Sequence, residues 1–227
     1  MITLKPATKD AVRYACMKFH YAKAVPSSPY AYNVYNDEGG WCGCIIFGPG
    51  ASPNLGTSVG MKQGEYLELV RVALNGKQPC TSECVSAALR QLHRDAPEIK
   101  IVISFADKDQ NHFGTIYQAT NWIYLGDYGV KKAQSYIING RKYHNKTIHD
   151  KGLKKDELLK IDPNMKEVSS LGKRKYIWVF DKKLRKEWQK KALPYPKKCD
   201  SSSTVEQPVN LREDGGSTPA LSLHKRG

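Results

Sequence analysis

Glu65-Tyr66-Leu67-Glu68-Leu69-Val70-Arg71-Val72-Ala73-Leu74 and Ile99-Lys100-Ile101-Val102-Ile103-Ser104-Phe105-Ala106 are the two runs that decide how this chain folds. Both have strand length, and the second is almost uninterrupted in its apolar character, the mark of a strand covered on both faces. Between them lie a loop, Asn75 to Cys80, and a segment reaching about Arg94. Its Val85, Ala88, Leu89 and Leu92 recur at helical spacing, and Thr81 or Ser82 is placed to cap it. Strand, helix, strand in that order predicts a parallel pair joined by a right-handed crossover.

Working outward, Asp10 to Tyr21 reads as a short basic helix with Val12, Ala15, Cys16 and Phe19 on one side. Tyr30 to Tyr35 and Trp41 to Phe47 form an antiparallel hairpin around Asp37-Glu38-Gly39-Gly40. Gly48 to Gly60 is a loop. Downstream come a short helix near His112 to Thr120, a strand at Trp122 to Leu125 and a hairpin, Ser135 to His144, turned by Asn139-Gly140. A helix at Lys154 to Lys160, a strand at Tyr176 to Phe180 and a basic helix from Lys182 to Leu193 complete the reading. The fold class is α/β, a mixed central sheet with flanking helices and a basic C-terminal extension.

The 227 residues are 40% hydrophobic, and no apolar run reaches the length of about eighteen that a membrane helix needs. The first ten residues lack a secretory apolar stretch. Six cysteines are too few for a disulfide scaffold, so a reducing, cytoplasmic setting is expected. The formal charge of +14 is unevenly placed. Residues 1–126 hold 12 Lys and Arg against 10 Asp and Glu, 127–198 hold 21 against 8, and 199–227 hold 3 against 4. A polyanion-binding surface is therefore expected in 127–198. The expected division is a core at 1–145, a basic extension at 146–198 that completes the sheet and binds DNA, and a disordered tail at 199–227. Cys42-x-Cys44 and Cys80-x-x-x-Cys84 raise zinc, but the first pair alternates on a strand and the second lies at a helix start, which disfavours it.

The segment from Glu65 to Gly126 resembles the core of the GNAT superfamily of N-acetyltransferases. There the last helix ends in leucine-tyrosine, three residues, then glycine-phenylalanine, and Ile116, Tyr117, Asn121 and Trp122 hold those places. Five segments further resemble the phage Mom family of DNA-modifying proteins: His20-Tyr21-Ala22-Lys23, Glu68 to Leu74, Ile103 to Asp107, Ile116-Tyr117-Gln118, and Asn121-Trp122-Ile123-Tyr124. A weaker match is Arg141-Lys142-Tyr143-His144.

The resemblance implies modification of adenine in double-stranded phage DNA at the exocyclic N6 amine with a methylcarbamoyl group, shielding it from host restriction endonucleases. It implies acetyl-coenzyme A or a related donor and host cytoplasm as the location, and leaves the oligomeric state open, a homodimer included. Two other readings stand beside it: an ordinary acetyl-coenzyme A-dependent N-acetyltransferase acting on a protein or small amine, and a non-catalytic DNA-binding protein on the same scaffold.

Carried onto this sequence, Tyr117 is the acid for a departing thiolate, and His20 is a base for the adenine amine or a metal ligand. Arg71 is either functional or ion-paired with Glu68 or Asp107. Asp107 is a site carboxylate or a helix cap, and Ser104 and Tyr21 fall within the matching motifs. His20, Tyr21, Asp107 and Tyr117 are the suspected iron ligands. Val70, Val72, Lys77, Thr81 and Ser82 are implied for the coenzyme, although the loop at 75–82 lacks the superfamily's glycine pattern and Pro79 removes a donor. The product would carry its amine on a CH₂ next to a carboxamide, a bond that simple acyl transfer does not make. For DNA, Lys131, Lys132, Arg141, Lys142, Lys173, Arg174, Lys175 and the run Lys182 to Lys191 around Trp188 suit phosphate contact with ring packing. An adenine leaving the stack would need aromatic accommodation, for which Tyr30, Tyr32 and Trp122 are candidates.

Overall fold

The computed structural model describes residues 2–50, 52, 54–129 and 131–197, without the side chains of 131–134, 142, 144, 146, 147 and 150. The expected tail, 199–227, lies outside the described residues. In chain order the elements are β1 (Thr3–Pro6), α1 (Lys9–Phe19), β2 (Tyr30–Tyr35), β3 (Trp41–Gly48), β4 (Tyr66–Leu74), α2 (Thr81–Asp95), β5 (Ile101–Asp107), α3 (Thr115–Ala119) and β6 (Ile123–Tyr128). Then follow β7 (Lys131–Ile138), β8 (Arg141–His144), α4 (Asn145–Asp150), α5 (Lys155–Ile161), β9 (Lys166–Ser170), β10 (Lys173–Val179) and α6 (Lys182–Gln189). A 3₁₀ turn at Thr57–Val59 interrupts the long loop before β4.

The chain forms two compact units. Of the described residues, one contains those up to Lys132 and 170–197, and the other contains Ala133–Ser169. The expected border at 145/146 falls inside the second unit. In the first unit a seven-stranded sheet runs β1-β2-β3-β4-β5-β10-β6. Every neighbouring pair is antiparallel except β4 and β5, the pair expected around the crossover helix. The element order and the single parallel pair agree with the mixed α/β core that the resemblance implied. Chain order did not foresee that β10 enters between β5 and β6. Its Tyr176, Ile177 and Val179 are fully covered, which an inner strand requires.

The two sheet faces are covered differently. Cys84, Val85, Ala88, Leu89 and Leu92 of α2 pack on Cys42, Phe47, Leu67, Leu69, Val102 and Ala106. Val12, Ala15 and Cys16 of α1 pack on Cys44, Ile46 and Ala73 across the opposite face. Leu184 and Trp188 of α6 cover Ile101, Ile103, Ile177 and Val179, whose place in the β5 and β10 alternation puts them on the α1 side. Cys42 and Cys44 therefore face opposite ways, and the zinc pairing has no geometry. Helix α1 is started by Thr8, whose Oγ1 accepts from the Ala11 N–H at 3.2 Å, a cap worth on the order of 1 kcal/mol.

In the second unit, β8-β7-β9 and two short helices enclose Tyr136, Ile138, Ile148 and Leu158. Its hairpin turns at Asn139 and Gly140, both at positive φ as expected. No helix among the described residues is long and apolar enough to cross a membrane.

Candidate active site at the parting of two strands

The β4–β5 ladder pairs Tyr66 with Ile101, Leu67 with Val102 and Glu68 with Ile103, and stops there. Both strands continue, held by their outer neighbours: β3 reaches Leu74 and β10 reaches Asp107. The edges of Leu69–Leu74 and Ser104–Asp107 thus part, leaving a gap at the carboxyl ends of a parallel pair, where α/β sheets place their ligands. A bulge sharpens the parting. Ile46 opposes Arg71 and Phe47 opposes Leu69, so Val70 is the extra residue on β4.

On the α2 side, Ser104 Oγ lies 3.0 Å from the Leu69 carbonyl and 2.8 Å from Tyr117 Oη. A serine has one proton to give, and these two contacts compete for it. Given to Leu69, it leaves Ser104 free to accept the tyrosine's proton; given to Tyr117, it steadies a phenolate. Tyr117 is wedged between Trp122 and Tyr176, with ring centroids 5.1 Å from each. Burial, opposed by the Ser104 contact, pushes its hydroxyl up to about 12. It is a protonated donor throughout the neutral range. Gly114, at φ +74°, caps α3 because a side chain there would strike the Tyr176 ring at 2.5 Å.

On the α1 side the groups are charged or polar. His20 ends α1 and stacks on Tyr21 at 4.5 Å. Its Nδ1 accepts from the Ala22 N–H at 3.1 Å, which assigns the neutral ring's proton to Nε2. Burial first, then the charges of Arg71, His112 and Lys23, press its pKa down to about 4. The expected role as a base for the amine does not suit such a ring; it offers an Nε2–H donor instead. Tyr21 Oη reaches Asp107 Oδ2 at 3.5 Å, a long contact. Burial and the Asp107 charge, opposed by Arg71, raise it to about 12.

Arg71 gives Nη1–H to the Val70 carbonyl at 2.6 Å, and its buried Nε has no partner. Neither expected ion pair forms: among the described residues the salt bridges are Lys100–Glu65, Lys108–Asp127 and Lys155–Glu167. Asp107 does not cap a helix either. It accepts from the Asp109 N–H at 3.0 Å and leaves its other oxygen toward Tyr21. His112 was not anticipated. It stands 5.8 Å from the Tyr21 ring, its N–H bonds the Asp107 carbonyl at 2.9 Å, and Arg174 grips its own carbonyl at 2.8 Å. Its sequence signal was available, because the loop after a strand's carboxyl end is site territory.

The suspected iron ligands do not assemble a metal centre. Tyr117 belongs to the opposite face and is committed to Ser104, while His20 Nδ1 is occupied by the backbone. Among the described residues no group of three or more His, Cys, Asp or Glu is placed to hold an ion. The coenzyme positions are better arranged. Helix α2 opens at Cys80, whose side chain makes no cap hydrogen bond, and the start of a helix is where backbone N–H groups can meet an anion. Thr81 and Ser82 are half-buried there and Lys77 is exposed. Ser82 Oγ, 3.0 Å from the sulfur, and the Glu83 and Ser82 amides lower the Cys80 thiol pKa.

For the basic residues, Lys173 and Arg141 are exposed and Arg174 is half-buried over the Phe113 ring at 4.6 Å. The side chains of Lys131, Lys132 and Lys142 lie outside the described residues. Lys175 is a correction: it is 6% exposed and its Nζ gives a hydrogen bond to Ser58 Oγ at 2.6 Å. Strand alternation groups it with Ile177 and Val179, facing inward. Tyr32 (2%) and Trp122 (0%) are core residues and cannot receive a base; Tyr30 is half-buried.

The sequence profile of the Mom protein family matches residues 1–197. The chain belongs to the Mom protein family. Over 187 residues this Mom-family chain is 27% identical to the methylcarbamoylase Mom of Escherichia phage Mu, covering 78% of this chain and 76% of that protein. Similar solved structures include a Bacillus subtilis acetyltransferase in complex with CoA, at 8% identity and a TM-score of 0.43 over 79% of this chain and 98% of that one. A GNAT family acetyltransferase from Elizabethkingia anophelis with acetyl-CoA bound matches at 11% and 0.42, over 79% and 98%.

Proposed function

We propose that this chain is a transferase that modifies adenine in phage DNA at the N6 amine with a methylcarbamoyl-type group, protecting viral DNA from host restriction endonucleases in the host cytoplasm. The observation that carries the reading is family membership over residues 1–197, a span that contains every side chain of the strand gap.

The residues fit a coenzyme A thioester. The uncapped start of α2, with Lys77, Thr81 and Ser82, suits a pyrophosphate. The unpaired edge from Val70 to Val72 suits the two amides of a pantetheine arm, which can pair with a free strand edge. When bound, such a donor would supply an activated two-carbon group, to which an amine source for the carboxamide and a two-electron oxidant for the methyl carbon must be added from outside the chain. Tyr117 holds the proton that a departing thiolate needs, and Ser104 turns its own proton toward the oxygen left behind. Across the gap, Arg71 steadies negative charge, His20 Nε2–H donates to a carbonyl oxygen, and Asp107 accepts from an amine.

Double-stranded DNA is the proposed substrate. Residues 170–197 carry ten Lys and Arg against two Asp and Glu, whereas 133–169 carry eight against five. The phosphate contacts are accordingly assigned first to Lys173 and the exposed lysines of α6 and its end, Lys182, Lys183, Lys186, Lys190 and Lys191, with Arg141 secondary. The test is expression in a bacterium followed by mass spectrometry of digested DNA nucleosides. A modified deoxyadenosine is expected, and only unmodified deoxyadenosine alongside soluble protein overturns the reading.

A further inference from the structure

Four large apolar side chains within twelve residues are exposed: Tyr14 (53%), Met17 (42%), Tyr21 (48%) and Val25 (48%). Helix α1 fixes how the first two point. Val12, Ala15 and Cys16 are buried against the sheet, so Tyr14 and Met17, a turn apart, form a ridge on the outer surface. The ridge is stiff, because Tyr14 packs 5.9 Å from Phe19 and 5.8 Å from Trp41, and those two rings are 5.7 Å apart. It ends at His20 and Tyr21, the mouth of the site.

The surroundings select the partner. Exposed Arg13, Lys18 and Lys23 border the ridge, Asp10 lies at the helix start, and Asp107 stands inside the mouth against Tyr21. An apolar strip bordered by cations matches a surface with apolar centre and anionic flanks, which is a stacked base step between two phosphate backbones. The adenine N6 amine is inside that stack, and enzymes that act on a base extrude it. The space left behind is commonly filled by an apolar side chain, methionine among them.

We propose that Met17, braced by Tyr14, is a wedge that enters the duplex beside the target adenine and drives it toward the cleft at Tyr21 and Asp107. The assignment rests on the DNA-adenine reading above, and it moves the aromatic contact with DNA from the buried Tyr32 and Trp122 to the outer face of α1.

The test compares wild type with Met17→Ala, a surface change that suits a helix, checked by thermal unfolding. Modification rates are measured on a duplex oligonucleotide, on the same strand alone and on a duplex with a mismatch at the target. The wedge requires a loss of about tenfold on the matched duplex, with rates within about twofold of wild type on the other two. Equal losses on all three, or none on the duplex, overturn it. A second measurement needs no turnover: 2-aminopurine at the target position should brighten when wild type binds the duplex and stay dim with Met17→Ala. Brightening that persists in the variant, or is absent with bound wild type, also overturns the wedge. If cellular DNA is unmodified while Met17-dependent brightening occurs, the wedge stands and the transferase reading falls. Modified DNA with an indifferent Met17 gives the reverse.

Discussion

The two sides of the β4–β5 gap are built from opposite materials. Toward α2 and α3 the gap is lined by hydroxyls in an aromatic setting, Ser104 and Tyr117 with Tyr176 behind them, and the bonding there concerns one proton. Toward α1 it holds a cation without a carboxylate partner, a carboxylate, two imidazoles and an exposed phenol. The neutral side suits a reaction in which a proton must be kept until a leaving group needs it. The charged side suits recognition and steadying of a polar acceptor. A strand pair that parts after three residues lets each side keep its own environment.

The largest effect should come from breaking the neutral side. Tyr117→Phe keeps the ring packing and removes the proton, so turnover should fall by about 10²-fold or more, in the range of general-acid losses. Full activity in this variant would remove the acid role. On the charged side, Arg71→Met should cost about tenfold to a hundredfold, the worth of a charge-assisted hydrogen bond or two, mainly as a raised KM. A loss confined to kcat would mean that Arg71 acts on the chemical step instead.

Salt should separate the gap from the DNA surface. Replacing Lys182, Lys186 and Lys190 together by Ala should lower the slope of log K for duplex binding against log salt by about 2.7, leaving Tyr117 variants unchanged in slope. A smaller test concerns Cys80, the half-buried thiol among the described cysteines, whose other four are buried. If the coenzyme lies at the start of α2, coenzyme A should slow alkylation of Cys80 severalfold by peptide mapping. Unaltered labelling at saturating coenzyme would move that site elsewhere.

The smallest effect is on acid stability. His20 has a folded pKa near 4 against an ordinary 6.5, so between these values the unfolded chain binds the extra proton. Its contribution is neutral above pH 6.5 and increasingly destabilising as pH falls toward 4. His20→Asn should flatten part of the acid side of a Tm-against-pH profile, with no difference at pH 8.

Much of the fold was legible because the β4-α2-β5 unit carries clear periodicities and turn signals. The place of β10 was not, since local pattern says that a strand is buried on both sides but not which neighbours bury it. Five residues of the strands and the candidate site show where legibility ends. Tyr117 and Asp107 were legible through motif and position at strand and helix ends. Arg71 was legible as unusual, yet its lack of a carboxylate is a three-dimensional fact. Lys175 looked like a surface cation in a basic run, although its alternation with Ile177 and Val179 already pointed inward. His112 reads from sequence as the start of the short helix, which begins only at Thr115, and its nearness to Tyr21 depends on how residues 107–114 turn back.

The most direct test of the two-sided gap is a crystal structure with coenzyme A. This account requires the pantetheine arm to run between Val70–Leu74 and Ser104–Asp107, with the sulfur beside Tyr117 and the pyrophosphate at the start of α2. Coenzyme bound elsewhere, with the two strand edges left bare, would contradict it.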